Sequence, residues 1–303
     1  MPCLYIGEKN ISFNFHSKEF IKIMTLIPII LVLYVLVSIC LTYMVHRKPR
    51  RPVNQKPDWG KVTDTIIPAA DNGFLEVWRI EPDVPSKGIV VLAHGWSRNR
   101  DRMVNRAKMF GQWGYTAVIH SARDHGNSSK CRLMNGIRFG EDIEAVLKWV
   151  NEPVILYGHS AGAAGAVIAA SRHPNLVKLM YLEGSYAETK PALLSLYKSF
   201  NKYFGLIFGP GIVFWMDSVL YRNKLGPLSP KSLAPNINVP VLLIHGEKDM
   251  TFPVKFAQSL AQSFPVNNAR MWIAPGAGHS DSSQQPGYKS EVRKFLNENL
   301  ENA

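Results

Sequence analysis

Hydrophobic and polar positions divide the chain into unlike stretches. Residues 23–45 run IMTLIPIILVLYVLVSICLTYMV without a charged side chain. At about 1.5 Å rise per residue they make a helix of about 35 Å, enough to cross a hydrocarbon core of about 30 Å. The pattern predicts one transmembrane anchor over 23–45, behind a short N-terminal segment, residues 1–22. Pro28 reads as a first-turn residue, where a missing N–H costs little. Tyr43 falls where an interfacial aromatic belongs. A cleaved signal peptide needs a small-residue exit site, yet no Ala occurs between Met24 and Pro68. Met1 and Met24 are both candidate starts.

After the anchor the period changes. Residues 46–60 are basic and carry Pro49, Pro52 and Pro57, which predicts a stiff, extended tether. From 61 to 303 short apolar runs alternate with helical patterns. Residues 62–68 and 74–80 flank Asp71-Asn72-Gly73, a β-hairpin signature. Buried-strand runs follow at 88–93, 115–119, 154–157, 176–182, 239–244 and 269–273. Between them Met103, Ala107 and Phe110, then Ile143, Val146, Leu147 and Val150, repeat at helical spacing, as do Val254, Ala257 and Ala261. Val292, Phe295, Leu296 and Leu300 give a final amphipathic helix. Repeated strand–helix–strand order predicts an α/β fold: a mostly parallel sheet with helices on both faces. One interval, about 185–236, lacks strand pattern and is rich in aromatics, including Tyr197, Phe200, Tyr203, Phe204, Phe208, Phe214, Trp215 and Tyr221. It reads as an inserted helical cap, whose aromatics fit a cap core or an acyl pocket equally well.

Composition narrows the function classes. In 303 residues, 46% are hydrophobic and 19% charged, which excludes a disordered chain. Three cysteines (Cys3, Cys40, Cys131) make no disulfide framework and no CxxC pair, and no His spacing indicates a metal site. The net charge is +12, but it is concentrated. Arg47, Lys48, Arg50, Arg51, Lys56 and Lys61 face one acid, Asp58; Arg98, Arg100, Arg102, Arg106 and Lys108 face Asp101. The rest of the chain is close to neutral, so a general nucleic-acid binder is not expected. The first cluster outweighs Lys9, Lys18 and Lys22 ahead of the anchor, which places the C-terminal portion in the cytoplasm by the positive-inside rule. There the basic tether faces an anionic leaflet. The second cluster reads as a solvated helix face, with Arg98 and Arg100 as alternative contacts for an anionic substrate group.

The chemistry lies at strand ends. The run at 154–157 leads into Gly158-His159-Ser160-Ala161-Gly162 and then a small-residue helix. This is G-x-S-x-G in its strand–turn–helix context, a sharp turn that exposes a serine hydroxyl above a sheet. The bland alternative is a serine capping a helix. In this context the sequence resembles the α/β-hydrolase superfamily. His94-Gly95-Trp96 looks like the family's oxyanion loop, and Arg123-Asp124-His125-Gly126-Asn127-Ser128 like the turn after the next strand. His245-Gly246-Glu247-Lys248-Asp249 resembles the acid-bearing loop, and Gly278-His279-Ser280 the histidine loop. The resemblance spans about residue 60 to the C-terminus and implies Ser160 as nucleophile, His279 as base and Asp249 as acid. It also implies an oxyanion hole from the Trp96 and Ala161 N–H groups, and no cofactor. Asp281 and Glu183 stay open as alternative acids. His94, His120, His125, His159 and His245 read as structural hydrogen-bonders.

An anchor with an apolar cap favours a membrane-bound serine hydrolase acting on small-molecule or lipid-like esters, of the monoacylglycerol-lipase or carboxylesterase kind. Serine aminopeptidase or amidase activity, acyl transfer, or a non-catalytic membrane-tethered scaffold are the alternatives.

Overall fold

The computed structural model describes residues 12–47 and 50–301. Residues 1–11 of the expected N-terminal segment, and Lys48 and Pro49 of the expected tether, lie outside the described residues.

The first element is a 33-residue helix, α1 (Ser12–Met44). It starts well ahead of the apolar run, because the polar residues before that run are helical too. Pro28 therefore lies in the helix interior rather than in its first turn, where its ring removes one i→i−4 hydrogen bond. The stretch Lys22–Met44 is long and apolar enough to cross a membrane, with mean hydropathy 2.8.

From 50 to 58 the chain forms neither helix nor strand, and it is strapped to the domain. Arg50 donates to the carbonyls of Ser128 (2.6 Å) and Gly126 (3.3 Å). Asn99 donates to the Arg51 and Pro52 carbonyls, and the Asn54 N–H donates to Asp101.

Eight strands then form one sheet in the order β1-β2-β4-β3-β5-β6-β7-β8. β1 (Lys61–Pro68) and β2 (Phe74–Glu81) are the expected antiparallel hairpin. Their turn places Asp71 and Asn72 at φ 58° and 54°, a left-handed conformation that Asn and Asp tolerate better than most residues. β2 pairs antiparallel with β4 (Thr116–His120). From there β3 (Ile89–Ala93), β5 (Val154–His159), β6 (Val177–Glu183), β7 (Val241–Gly246) and β8 (Ala269–Ala274) continue in parallel. Each coincides with an apolar run of the sequence.

Helices cover both faces. On one, α3 (Gly136–Val150), α4 (Ala161–Arg172) and α9 (Val254–Ala261) bury Ile143, Val146, Ala166, Val167 and Leu260 against Val91, Leu156 and Leu243. On the other, α2 (Val104–Gln112) and α10 (Tyr288–Leu296) bury Phe110, Val292 and Phe295 against Leu92, Tyr157 and Tyr181. Between β6 and β7 stand α5 (Thr189–Phe200), α6 (Lys202–Ile207), α7 (Gly209–Trp215) and α8 (Pro230–Leu233). The strandless interval is thus helical, with a small core of its own formed by Tyr197, Ile212, Val213, Met216, Tyr221 and Leu225.

Three arginines of the second basic cluster, Arg100, Arg102 and Arg106, do not form a solvated helix face but bond groups within the domain. Arg100 is 5% exposed, lies 3.8 Å over the Trp78 ring, and pairs with Asp64 (2.8 Å) and Glu76 (3.0 Å). Arg102 donates to the Ser280 carbonyl. Arg106, on α2, makes a two-pronged ion pair with the fully buried Glu183 at the end of β6 (2.6 and 2.7 Å). Tyr157 donates to the same carboxylate at 2.5 Å and contacts Tyr288 at 2.8 Å. Burial works against the Glu183 charge, but Arg106 prevails and holds its pKa down at about 2. Deleting one partner of a buried, fully bonded pair leaves the other charge uncompensated. Glu183→Gln is therefore expected to lower unfolding free energy by about 3–5 kcal/mol, read by urea denaturation of the detergent-solubilised chain. Unchanged stability would contradict this role.

Candidate active site

β5 delivers its last residues to a turn that no ordinary strand end makes. Ser160 sits at φ 54°, ψ −117°, a strained conformation for a residue with a side chain. Its flanks explain why the turn closes. A Cβ at Gly158 would lie 2.5 Å from the Gly162 carbonyl oxygen, and one at Gly162 would lie 2.5 Å from the Ala93 and His94 carbonyls. Only glycines allow β5, α4 and the end of β3 to approach this closely. The backbone is held as well, since the Ser160 N–H donates to the Glu183 carbonyl at 2.9 Å. The buried Arg106–Glu183 pair thus lies directly beneath the elbow.

Three side chains from separate strand ends meet here. Ser160 Oγ lies 2.9 Å from His279 Nε2, and His279 Nδ1 lies 2.7 Å from Asp249 Oδ2. A carboxylate only accepts, so Nδ1–H donates to Asp249 and Nε2 is left to accept from the serine hydroxyl. Asp249 Oδ1 is fixed by the Thr251 and Phe252 N–H groups, both at 2.8 Å. His245 Nε2 lies 3.4 Å from Oδ2 while donating to the Phe252 carbonyl at 2.7 Å. Burial opposes ionisation of Asp249, but its hydrogen bond from His279, that ring's charge and the Phe252 N–H outweigh burial and hold the pKa below the ordinary carboxylate value. The alternatives from sequence fall elsewhere: Glu183 is committed to Arg106, and Asp249 holds the position beside His279 that Asp281 would need.

The loop after β3 completes the site. A Cβ at Gly95 would lie 3.0 Å from Ser160 Cβ, so this loop passes directly over the serine. His94 Nε2 accepts the Ala122 N–H at 2.9 Å, leaving Nδ1–H to donate to the Gly95 carbonyl at 2.7 Å. In a trans peptide the C=O and the next N–H point oppositely, so holding the Gly95 oxygen sets the direction of the Trp96 N–H. His125 fixes the following residue by accepting the Ser97 N–H at 3.1 Å, while it donates to the Arg123 carbonyl. Ala161 stands first in α4, where an N–H has no intrahelical acceptor and helix polarity favours negative charge. His159 donates to the His279 carbonyl at 3.2 Å. Among the described residues no group of three or more His, Cys, Asp or Glu could hold a metal ion.

Some contributors carry no recognisable sequence signal. The Phe252 ring stands edge-on to His279 at 5.0 Å and meets Tyr186 at 5.0 Å. Ser195 of α5 donates to the Thr251 carbonyl at 2.7 Å, which ties the cap to the acid loop.

Comparison with known proteins fits this geometry. A family profile described as "Serine aminopeptidase, S33" matches residues 84–216, and one described as "TAP-like protein" matches 223–302. The chain belongs to the α/β-hydrolase superfamily. It is 25% identical over 244 residues to a monoacylglycerol lipase of Mycolicibacterium smegmatis, covering 67% of this chain and 84% of the relative. It is 24% identical to the monoglyceride lipase of Rattus norvegicus, covering 74% and 85%. An uncharacterised membrane protein of Saccharomyces cerevisiae is 24% identical over 75% of this chain and 76% of its own length. Among solved structures, an esterase of Pyrococcus furiosus superposes with TM-score 0.64 at 19% identity, over 83% of this chain and 98% of the esterase. A bacterial membrane phospholipase A gives 0.59 at 17% identity, over 95% and 100%.

The histidines around the site make the fold acid-sensitive. Burial depresses His94, His120, His125 and His159 below the ordinary value of 6.5, His120 to about 4 and His159 to about 3. They stay neutral when folded, whereas the unfolded chain takes up protons below about pH 6.5. Stability is thus retained above that pH and falls as pH drops below it, by about 1 kcal/mol for each of His120 and His159 between about pH 7.5 and 5.5. Urea midpoints at the two pH values are expected to show this loss, and His120→Phe to reduce the pH dependence by about one histidine's share. A pH-independent midpoint would contradict it.

Proposed function

We propose that the protein is a membrane-anchored serine hydrolase that cleaves carboxylic esters, with lipid-like substrates favoured, through an acyl-enzyme on Ser160. The observation that carries this reading is the continuous hydrogen-bond series from Ser160 Oγ through His279 to Asp249. A serine hydroxyl needs a base within hydrogen-bond reach to act as nucleophile. As Ser160 Oγ attacks the substrate carbonyl, its proton passes to His279 Nε2, and Asp249 stabilises the imidazolium that forms. Charge developing on the carbonyl oxygen is met by the Trp96 and Ala161 N–H groups. His279 returns the proton to the departing alcohol. Water, deprotonated by the same nitrogen, then releases the acyl group from Ser160.

Lipid-like esters are favoured by the similarity to monoacylglycerol and monoglyceride lipases and by the apolar helix at the N-terminus. In this reading 23–45 spans the membrane, 46–60 links it to the hydrolase domain at 61–303, and about 185–236 forms the cap. The basic residues after the anchor hold the domain on the cytoplasmic side. The similarity of residues 84–216 to serine aminopeptidases favours amide cleavage as a second reading, and the acyl-enzyme route serves both bonds.

Nitrophenyl esters of rising chain length, beside aminoacyl amides, separate the two. The account expects higher kcat/KM on medium-chain than on acetyl esters and little amide turnover; amide preference or acetyl preference counts against it. Asp249→Ala is expected to lower kcat by about 10³–10⁴-fold, with Asp281→Ala close to wild type. The reverse pattern would overturn the choice of acid.

A further inference from the structure

The C-terminal half of α1 does not stand clear of the domain but is packed along the cap. Tyr34 Oη donates to the Ile207 carbonyl at 2.9 Å, and its ring stacks on Phe208 at 6.1 Å. One helical turn on, Trp215 Nε1 donates to Ser38 Oγ at 2.8 Å. A Cβ at Gly211 would meet Ser38 Cβ at 2.9 Å and Tyr34 Oη at 3.0 Å, so only a glycine lets α7 press this closely on the α1 side chains. Leu41 and Val45 join the cap's apolar core, and His46 hydrogen-bonds Tyr221. Tyr34, Ser38, Leu41 and Val45 form one face of the helix, and Ser38 and Thr42 are 1% exposed.

The depth of these contacts is the informative quantity. From Tyr34 to Val45 is about 17 Å of helix, about half of a 30 Å hydrocarbon core. If 23–45 spans the bilayer, the cap segment beside Tyr34 cannot lie in water above the headgroups. We propose that α6 and α7 are immersed in the acyl-chain layer of the leaflet facing the catalytic domain, with α1 holding them there. The inference rests on the transmembrane reading of α1 given above.

The cap's own surface fits that occupant. Residues 203–216 contain no charge, and Tyr203, Leu206, Ile207, Phe214 and Val219 are 49–73% exposed. Polar groups at that depth need internal partners, and they have them: Ile207 O receives Tyr34, Ser38 donates to Val35 O, and Thr42 donates to Ser38 O. The Phe208 and Ile212 N–H groups bond Phe204 and Phe208 carbonyls, so the backbone stays satisfied through the α6–α7 junction. Lys198 and Lys202, just before the uncharged stretch, are exposed and fall where headgroup phosphates would be.

The test is depth-resolved quenching of the full chain in phosphatidylcholine vesicles. With Cys3, Cys40 and Cys131 replaced by Ser, an NBD label is placed in turn at Leu206→Cys, Phe214→Cys, Leu31→Cys and Lys148→Cys. Lipids brominated along the acyl chain are expected to remove most of the emission at 206, 214 and 31, and to leave 148 unchanged. Quenching at 31 with none at 206 and 214 overturns cap immersion while the anchor reading stands. No quenching at 31 overturns both. Self-quenching at 206 and 214 that follows protein density rather than bromine assigns the patch to a second copy and overturns the proposal. All four positions are surface residues, and circular dichroism of each labelled chain verifies that the fold is retained.

Discussion

Six strands, β3 to β8, run parallel through the middle of the sheet, and parallel strands all end on the same edge. That constraint gathers chemistry from distant parts of the sequence. The loop after β3 brings Gly95 and Trp96, the turn after β5 brings Ser160, and the loops after β7 and β8 bring Asp249 and His279. None of these residues has to be near another in the chain. Each needs only to follow its strand. Parallel pairing also demands cover on both faces, which is why the strands read as unbroken apolar runs and why α4 is built of small residues that allow close approach.

Packing beneath the site is as specific as the site itself. The elbow carries a strained serine, and strain of this kind persists only where the surroundings hold it. Here they are the glycines at 158 and 162, the hydrogen bond from the Ser160 N–H to the Glu183 carbonyl, and the Arg106–Glu183 pair under it. The loop after β3 is fixed in the same manner by His94 and His125, two neutral rings that each accept one backbone N–H and donate to a carbonyl. Such second-layer contacts convert a set of reactive side chains into one geometry.

Sequence and structure agree where information is local. A strand followed by G-x-S-x-G, or an apolar run followed by His-Gly, states its own position, so the strands, the hairpin and the three candidate side chains were legible at once. What was not legible depends on residues far apart in the chain. The arginines at 100 and 106 look like part of an exposed basic helix until Asp64, Glu76 and Glu183 are brought to them by the sheet. The stretch after α1 reads as a stiff, extended tether because the groups that hold it to the domain, Asn99, Asp101 and the Ser128 carbonyl, lie dozens of residues later. Pro28 looks like a first-turn proline because hydropathy marks where a helix turns apolar, not where it begins. Asp281, two residues from His279, is a local competitor in sequence, and the 2.7 Å contact of Asp249 with His279 Nδ1 favours Asp249 over it.

Arg50, Arg100, Arg102 and Arg106 are thus engaged within the domain, and the candidate site depends on one relay of three side chains, a hydroxyl, an imidazole and a carboxylate. The most direct test of that relay is covalent capture of the nucleophile: a fluorophosphonate reacts with the full-length chain in membranes, and peptide mass spectrometry locates the adduct. The account predicts a single adduct on Ser160, sharply slowed in His279→Ala. Absence of labelling in the wild-type chain, or an adduct on another serine, would contradict it.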